Sequence, residues 1–377
     1  NNSLPGPQDV DLNCTKLYKN LQQINHHELQ STTIIASANI FVKILHKYRY
    51  QHIFWNNMLF NILMLIAGLG VLVWSADRFV YGAAAFARNL GLPPMLIGLT
   101  IVAMGSSAPE MFVAATASME GMSDTAVGNV LGSNVANITL ILGITALLGA
   151  ISVSSQTLKR EIPLMLAATV LAGYLIHDGM LTRVEGGILL VAFFALMGFF
   201  IWQAMRNKQI DPLSDESDAE IPKNVPTLHA IIWIIVGMIL LPLSADWMVS
   251  GAVGIAKTFG LSDLVIGLTI IAVGTSLPEL AACIAGVLKK EDDLAIGNIV
   301  GSNLFNILAV LAIPGLIAPG EIDAQASSRD FYMVLGTSTA LAVLVLSSGA
   351  KKQLTRWHGA ILLVVFIAYQ IVLFQSQ

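Results

Sequence analysis

The sequence predicts an all-α polytopic membrane protein, with ten transmembrane helices arranged as two inverted five-helix repeats. Three observations carry this: a charge-poor composition, apolar blocks of bilayer-crossing length, and self-similarity at one fixed offset. Of 377 residues, 55% are hydrophobic and 12% charged, with mean hydropathy +0.72. An average soluble domain carries roughly 25% charged residues, so a soluble fold of this size lacks the polar side chains to cover itself. A soluble enzyme is therefore excluded. The net charge of −4 without a basic tract excludes a nucleic-acid binder. Two cysteines, Cys14 and Cys283, are too few for a disulfide or zinc framework.

Residues 1–57 differ in composition from the rest. They hold four of the seven histidines and none of the fourteen methionines, and Met58 directly precedes the first apolar run. The stretch Thr33–Leu45 is too short and interrupted to span a membrane. This segment reads as an extension, disordered or outside the native protein, and Met58–Gln377 as the working unit.

From Met58, apolar spans fall near 59–76, 94–118, 125–149, 162–177 and 187–203, then 228–248, 264–288, 294–318, 331–347 and 358–374. Between the two sets lies a hydrophilic break with five acidic residues and three prolines. The chain thus divides into a first repeat over 58–205, a linker over 206–226 expected in the cytoplasm, and a second repeat over 227–377. Loops on one side carry 11 positive charges: Arg88; Lys159 and Arg160; Arg206, Lys208 and Lys223; Lys289 and Lys290; Lys351, Lys352 and Arg356. The other side has three: Arg183, Lys257 and Arg329. The richer side is expected in the cytoplasm, which turns both ends of the 58–377 unit outward.

Self-similarity is the strongest signal. Ser75-Ala76-Asp77 recurs as Ser244-Ala245-Asp246, and Ile97–Ile101 as Ile266–Ile270. Gly105-Ser106-Ser107-Ala108-Pro109-Glu110 recurs as Gly274-Thr275-Ser276-Leu277-Pro278-Glu279. Gly128-Asn129 and Gly132-Ser133-Asn134 with Asn137 recur as Gly297-Asn298 and Gly301-Ser302-Asn303 with Asn306. Every pair is 169 residues apart, and 29 of the 69 positions from 75 to 143 match their counterparts. Five spans is an odd number, so the second copy must insert upside down. Inverted repeats with interrupted helices are the architecture of many secondary transporters.

Glu110 and Glu279 sit well inside apolar spans, where a carboxylate costs a few kcal/mol and marks a functional site. Each follows a proline, which removes a backbone donor, so carbonyls in Ala103–Ser106 and Ala272–Thr275 are expected to lose helical partners. The hydroxyls of Ser106, Ser107, Thr275 and Ser276 add oxygens one turn from each carboxylate. In the following spans Asn129, Ser133 and Asn137 are spaced four apart, as are Asn298, Ser302 and Asn306, so each set lines one helix face. Ser133, Asn137, Ser302 and Asn306 are expected to line the site, with the neighbouring glycines serving helix packing. Two carboxylates among neutral oxygens, without histidine, suit Ca²⁺ or Na⁺ rather than zinc or copper. Asp77 and Asp246 read as interfacial structural residues, Asp124 and Asp293 as helix N-caps, and Cys283, opposite Ala114 in the first copy, as packing.

These motifs resemble the two α-repeats of the cation/calcium exchanger superfamily, particularly its bacterial sodium/calcium antiporter branch. The resemblance covers essentially all of Met58–Gln377. It implies that Glu110 and Glu279 are the principal Ca²⁺ ligands and also touch Na⁺. It further implies that the carbonyls of Ala103 and Ala272, with Ser106, Ser107, Thr275 and Ser276, complete the ion sites. Ser133, Asn137, Ser302 and Asn306 would line the sodium and central sites, while the first span of each half slides against the remaining bundle. Many prokaryotic and potassium-dependent members carry Asp where this chain has Asn306, which leaves potassium dependence and Na⁺ stoichiometry open. Ca²⁺ and Na⁺ are thus the expected substrates and the lipid bilayer the medium, in a bacterial inner membrane, with no cofactor and no obligate protein partner. Proton-coupled Ca²⁺ exchange through the same glutamates is the alternative. An intramembrane hydrolase built on Ser and Glu would need Arg or Lys near them for phosphate, and the repeats supply none at depth.

Overall fold

The computed structural model describes residues 32–91, 103–154, 157–206, 224–289, 292–349 and 352–376. Contacts divide the chain between Asn57 and Met58. Of the 1–57 segment, residues 1–31 lie outside the described residues, as do most of the linker and the Ile97–Ile101 motif.

The first half begins with α1 (Thr32–Asn89). An interrupted pair follows, α2 (Ala103–Ser106) and α3 (Ala108–Met119), then α4 (Ser123–Ala136) and α5 (Leu142–Leu148) joined by a π turn over Asn137–Ile141. Strand β1 (Ile151–Ser152), a π turn over Thr157–Glu161, α6 (Ile162–Ile176), β2 (Met180–Leu181) and α7 (Arg183–Arg206) complete it.

The second half runs in parallel. It comprises α8 (Thr227–Phe259), α9 (Asp263–Ile266), a π turn over Gly267–Ile271, α10 (Ala272–Thr275), α11 (Leu277–Lys289) and α12 (Asp292–Phe305). A π turn over Asn306–Val310 leads to α13 (Ala312–Ile317) and β3 (Gly320–Glu321). A further π turn over Ala326–Asp330 precedes α14 (Phe331–Ser347), β4 (Gln353–Leu354) and α15 (Arg356–Gln375). The π turns at Asn137 and Asn306, and those at Thr157 and Ala326, are each 169 residues apart. Two short antiparallel ladders tie the halves together, Ile151↔Leu354 with Ser152↔Gln353, and Met180↔Glu321 with Leu181↔Gly320.

Among the described residues, eight helices are long and apolar enough to cross a membrane. Of the other two expected spans, 94–118 begins outside the described residues. α6 has 15 residues, about 22 Å at 1.5 Å per residue, because the preceding π turn carries Lys159, Arg160 and Glu161. Helices α7, α8 and α15 turn large apolar side chains outward, among them Val191, Phe194, Met238, Val364 and Ile367. So wide an apolar surface needs lipid around it. The segments that carry the polar stripes, by contrast, are almost wholly buried.

The first expected span ends too early at 76. The helix continues through Arg78 to Asn89 because that guanidinium is accommodated at the helix surface. It pairs with Asp77 at 2.8 Å and lies over the rings of Tyr81 and Trp233, 5.4 and 5.7 Å from their centroids. Within 58–377, α1 and α8 run antiparallel along a glycine seam. A Cβ on Gly251 would stand 2.6 Å from Asn61 O, and one on Gly82 2.7 Å from Ala230 O. The hydroxyls of Ser75 and Ser244 bond back to Leu72 O and Leu240 O of their own helices, so this repeated motif serves the long helices themselves. α8 stops at Gly260, which takes the left-handed conformation (φ +72°) that glycine tolerates.

Asp124 is not an N-cap. Met122 holds that position without a side-chain bond, and Asp124 lies inside the first turn, accepting Asp323 N–H at 2.8 Å. The acid is drawn to the loop before α14, a partner about 200 residues away that local sequence does not reveal. The side chain of Asp293 lies outside the described residues, but its neighbour Asp292 accepts Ser152 N–H at 2.9 Å.

Glu120, just past α3, faces the Asp246 carboxyl of α8. Burial and this acidic neighbour raise the Glu120 pKa above 4.5. The folded state therefore holds the proton more tightly than the unfolded chain. The contact stabilises fully below pH 4.5 and fades as pH climbs through the raised value. Glu120→Gln is expected to flatten the pH dependence of the thermal midpoint above pH 4.5; a slope equal to wild type would sink this assignment.

Candidate ion site

Each half breaks a helix immediately before a Pro-Glu pair. Ser107 (φ −90°, ψ 6°) and Ser276 (φ −85°, ψ 5°) leave helical geometry, and the next helix restarts with Pro109 or Pro278 in its first turn. Proline is tolerated there because first-turn N–H groups have no intrahelical acceptor. Glu110 and Glu279 thereby lie at the starts of α3 and α11, buried to 0% and 1% exposure.

The π turns act one helix further on. Asn137 and Asn306 each open one, and the following amides, of Leu142 and Leu311, reach back five residues to their carbonyls. The widened turn shifts the remainder of the helix relative to the Asn side chain, a feature common at functional sites.

Contacts between the halves hold this centre together. Thr275 Oγ1 donates to Asn129 Oδ1 at 3.2 Å, and Asn129 Nδ2 donates to Glu110 O at 3.4 Å. Ser133 meets Thr275 at 3.5 Å, and the counterpart pair Ser106 and Ser302 also stands at 3.5 Å. Ser302 Oγ donates to Glu279 Oε1 at 3.4 Å, and Asn137 Nδ2 donates to Asn303 Oδ1 at 2.9 Å. Close helix packing makes these bonds possible. A Cβ on Gly267 would lie 2.3 Å from Thr125 O, and one on Gly128 2.5 Å from Leu264 O.

The expected residues thus come together, with two qualifications. Ala272 O is not freed: it accepts Ser276 N–H at 3.2 Å and the Thr275 hydroxyl at 3.3 Å. Proline removes its own N–H, which in a helix would reach residue 274, so the effect falls two residues later. A carbonyl with two lone pairs already engaged is a poorer ion ligand. The Ala103 backbone starts α2, and its side chain lies outside the described residues. Two residues that the sequence places in the repeated motifs without a role in the site, Asn129 and Asn303, act as positioning residues. The signal was the duplicated Gly-Asn and Gly-Ser-Asn, whose partners sit in the opposite half.

The polar accounting is decisive for chemistry. Among the described residues, eight buried side-chain oxygens have no hydrogen-bond partner. Seven belong to the expected site: both of Glu110, Glu279 Oε2, Ser107 Oγ, Ser276 Oγ, Asn137 Oδ1 and Asn306 Oδ1. Thr275 and Ser276 stand beside the Glu110 carboxylate, and Ser276 closes no bond to it. Native interiors rarely strand polar atoms, and burying a charged oxygen without a partner is costly. Seven stranded oxygens within the expected set make it a candidate cation-binding centre. Among the described residues no three His, Cys, Asp or Glu side chains gather, so the set is dominated by neutral oxygen.

A family model for sodium/calcium exchanger proteins matches residues 60–202 and 229–375. The chain belongs to the sodium/calcium exchanger family. It is 52% identical over 319 residues to the putative antiporter CaxA of Alkalimonas amylolytica, covering 85% of this chain and 100% of that protein. It is 45% identical to the inner membrane protein YrbG of Escherichia coli, covering 76% and 89%. It is 30% identical to the sodium/calcium exchanger MaX1 of Methanosarcina acetivorans, covering 83% and 98%. Among solved structures, the sodium-calcium exchanger NCX_Mj matches with TM-score 0.55 at 28% identity, over 82% of this chain and 97% of that one. The protein is a multi-pass cation/calcium antiporter and not an enzyme; Ca²⁺ and its counter-ion are cargo.

Proposed function

We propose that this exchanger moves Na⁺ inward and Ca²⁺ outward across a bacterial inner membrane by alternating access at one midplane site between Glu110 and Glu279. The stranded oxygens carry this reading. Two ionised carboxylates neutralise one Ca²⁺, and Ser107, Ser276, Asn137 and Asn306 supply neutral oxygens of the kind that both hard cations accept. Ser106, Ser133, Thr275 and Ser302 stand within the same hydroxyl network and complete the lining. Because the two ions use the same oxygens they compete, and competition at a shared site couples their movements. Ala103 and Ala272 enter as backbone carbonyls, with Ala272 the weaker member.

The architecture proposed for this is ten spans as two inverted repeats within Met58–Gln377, with the 206–226 linker in the cytoplasm and both ends of the unit outside. Equal offsets between the helix breaks and between the paired π turns support it, as do the two strand ladders that join the halves. The glycine seam supports a joint movement of α1 and α8 against the rest of the bundle.

The test is flux in liposomes. Vesicles loaded with Na⁺ and diluted into Na⁺-free buffer with labelled Ca²⁺ are expected to take up Ca²⁺ only while the outward Na⁺ gradient lasts. Uptake that follows a pH gradient and ignores Na⁺ would make the glutamates proton carriers instead. Uptake that needs no counter-ion would mean a channel.

A further inference from the structure

The two halves of the centre differ at one position in a chemically consequential way. Cys283 stands where the first copy has Ala114. It is fully buried, one helical turn beyond Glu279 on α11. Residues four apart share a helix face, and both side chains meet the same partner helix, α12. Ser302 donates to Glu279 Oε1, while Cys283 Sγ donates to Ala295 O at 3.3 Å. The Asn298 amide lies beside the sulfur, its Nδ2 buried without a hydrogen-bond partner. Asn129, its counterpart, is bonded at both ends. On the shared face Glu279 keeps Oε2 unpartnered at 1% exposure. A soft sulfur and a free carboxylate oxygen are therefore held one turn apart beside the proposed Ca²⁺ site.

We propose that the second half of the centre binds thiophilic divalent cations, with Cys283 Sγ and Glu279 Oε2 as ligands. Cd²⁺ is the suited probe: it is close to Ca²⁺ in size, so it follows the same route, yet it prefers thiolate where Ca²⁺ prefers oxygen. On binding, the Cys283 S–H bond breaks and its proton leaves to water. The sulfur electron pair forms the bond to cadmium, and the contact to Ala295 O is lost. No electron changes hands. Ser302 keeps its bond to Glu279 Oε1, which leaves Oε2, without a partner of its own, for the metal. The first copy, with a methyl group at Ala114, has no such pair. The inference builds on the proposed exchange site for the cation's route, while the ligand pair stands on its own geometry.

The experiment uses the purified full chain, with Cys283→Ala, the residue natural to the first copy, and Cys283→Ser. Cd²⁺ titration is followed by the ultraviolet sulfur-to-cadmium charge-transfer band, and in liposomes by block of labelled Ca²⁺ uptake relative to each protein's own uptake without Cd²⁺. Wild type is expected to show a saturable band that both variants lack above the contribution of Cys14. Both variants should also require at least about tenfold more Cd²⁺ for half-block, the low end of what losing a metal-supporting group costs. An unchanged band and an unchanged half-block in the variants would overturn the proposal. Absence of Ca²⁺ uptake in all three proteins would count against the exchange reading alone, since the band decides the thiol site without transport.

Discussion

Glu110→Gln is expected to abolish Ca²⁺ uptake at Ca²⁺ concentrations that saturate wild type, without lowering the thermal midpoint. Both oxygens of Glu110 are buried and unpartnered, so their worth in the folded protein comes from the ion. Removing one charged partner from a buried pair costs roughly 3–5 kcal/mol, or about two to four orders of magnitude in affinity. Gln keeps the shape and removes a charge that is expensive to bury, so the ion-free protein gains or holds stability while it loses its substrate. Glu279→Gln should follow the same pattern less severely, because Glu279 Oε1 already has Ser302 as a partner and an amide oxygen can keep that bond. The measurements are labelled Ca²⁺ uptake across a Ca²⁺ titration and thermal unfolding in Ca²⁺-free buffer. Full uptake by Glu110→Gln would displace the site. A collapse in its midpoint would make the carboxylate structural.

That opposition between stability and function explains which parts of the protein were legible from sequence. An uncompensated carboxylate inside an apolar run has no local rationale, so Glu110 and Glu279 stood out. The duplicated hydroxyls and amides stood out for the same reason; of them, Thr275 and Ser276 stand beside Glu110 and Ser302 bonds to Glu279. What remained illegible depends on partners far along the chain. Asn129 is fixed by Thr275, 146 residues away, and Asn303 by Asn137, 166 residues away. Asp124 looked like a cap because local pattern favours that reading, yet its acceptor capacity goes to Asp323. The first helix runs past the span's expected end at 76, where Arg78 finds two aromatic faces and an adjacent Asp that hydropathy does not foresee. The π turns at Asn137 and Asn306 had no signature beyond the asparagines themselves.

Gly267→Ala tests the remaining link, between close helix packing and the assembled site. A single methyl there would meet Thr125 O at 2.3 Å and Asn129 N at 2.8 Å. Both are backbone atoms of α4, so relief cannot come from a rotamer change and the helix must move. Overpacking of this kind typically costs 1–3 kcal/mol, occasionally more. The displacement falls on the segment that presents Asn129 to Thr275, whose 3.2 Å bond joins the halves beside Glu110. A lower thermal midpoint and weakened Ca²⁺ uptake are therefore expected together. Gly187→Ala on α7 is the matched control, since no described atom lies within 4 Å of its Cβ position. There alanine should be neutral or stabilising by about 0.5–1 kcal/mol, the usual helical advantage over glycine. If Gly267→Ala matched that control in both midpoint and uptake, the two helices would have room to spare. The Asn129–Thr275 contact would then owe nothing to the missing side chain. If uptake fell while the midpoint held, the glycine would be serving movement between states rather than the packing of this one.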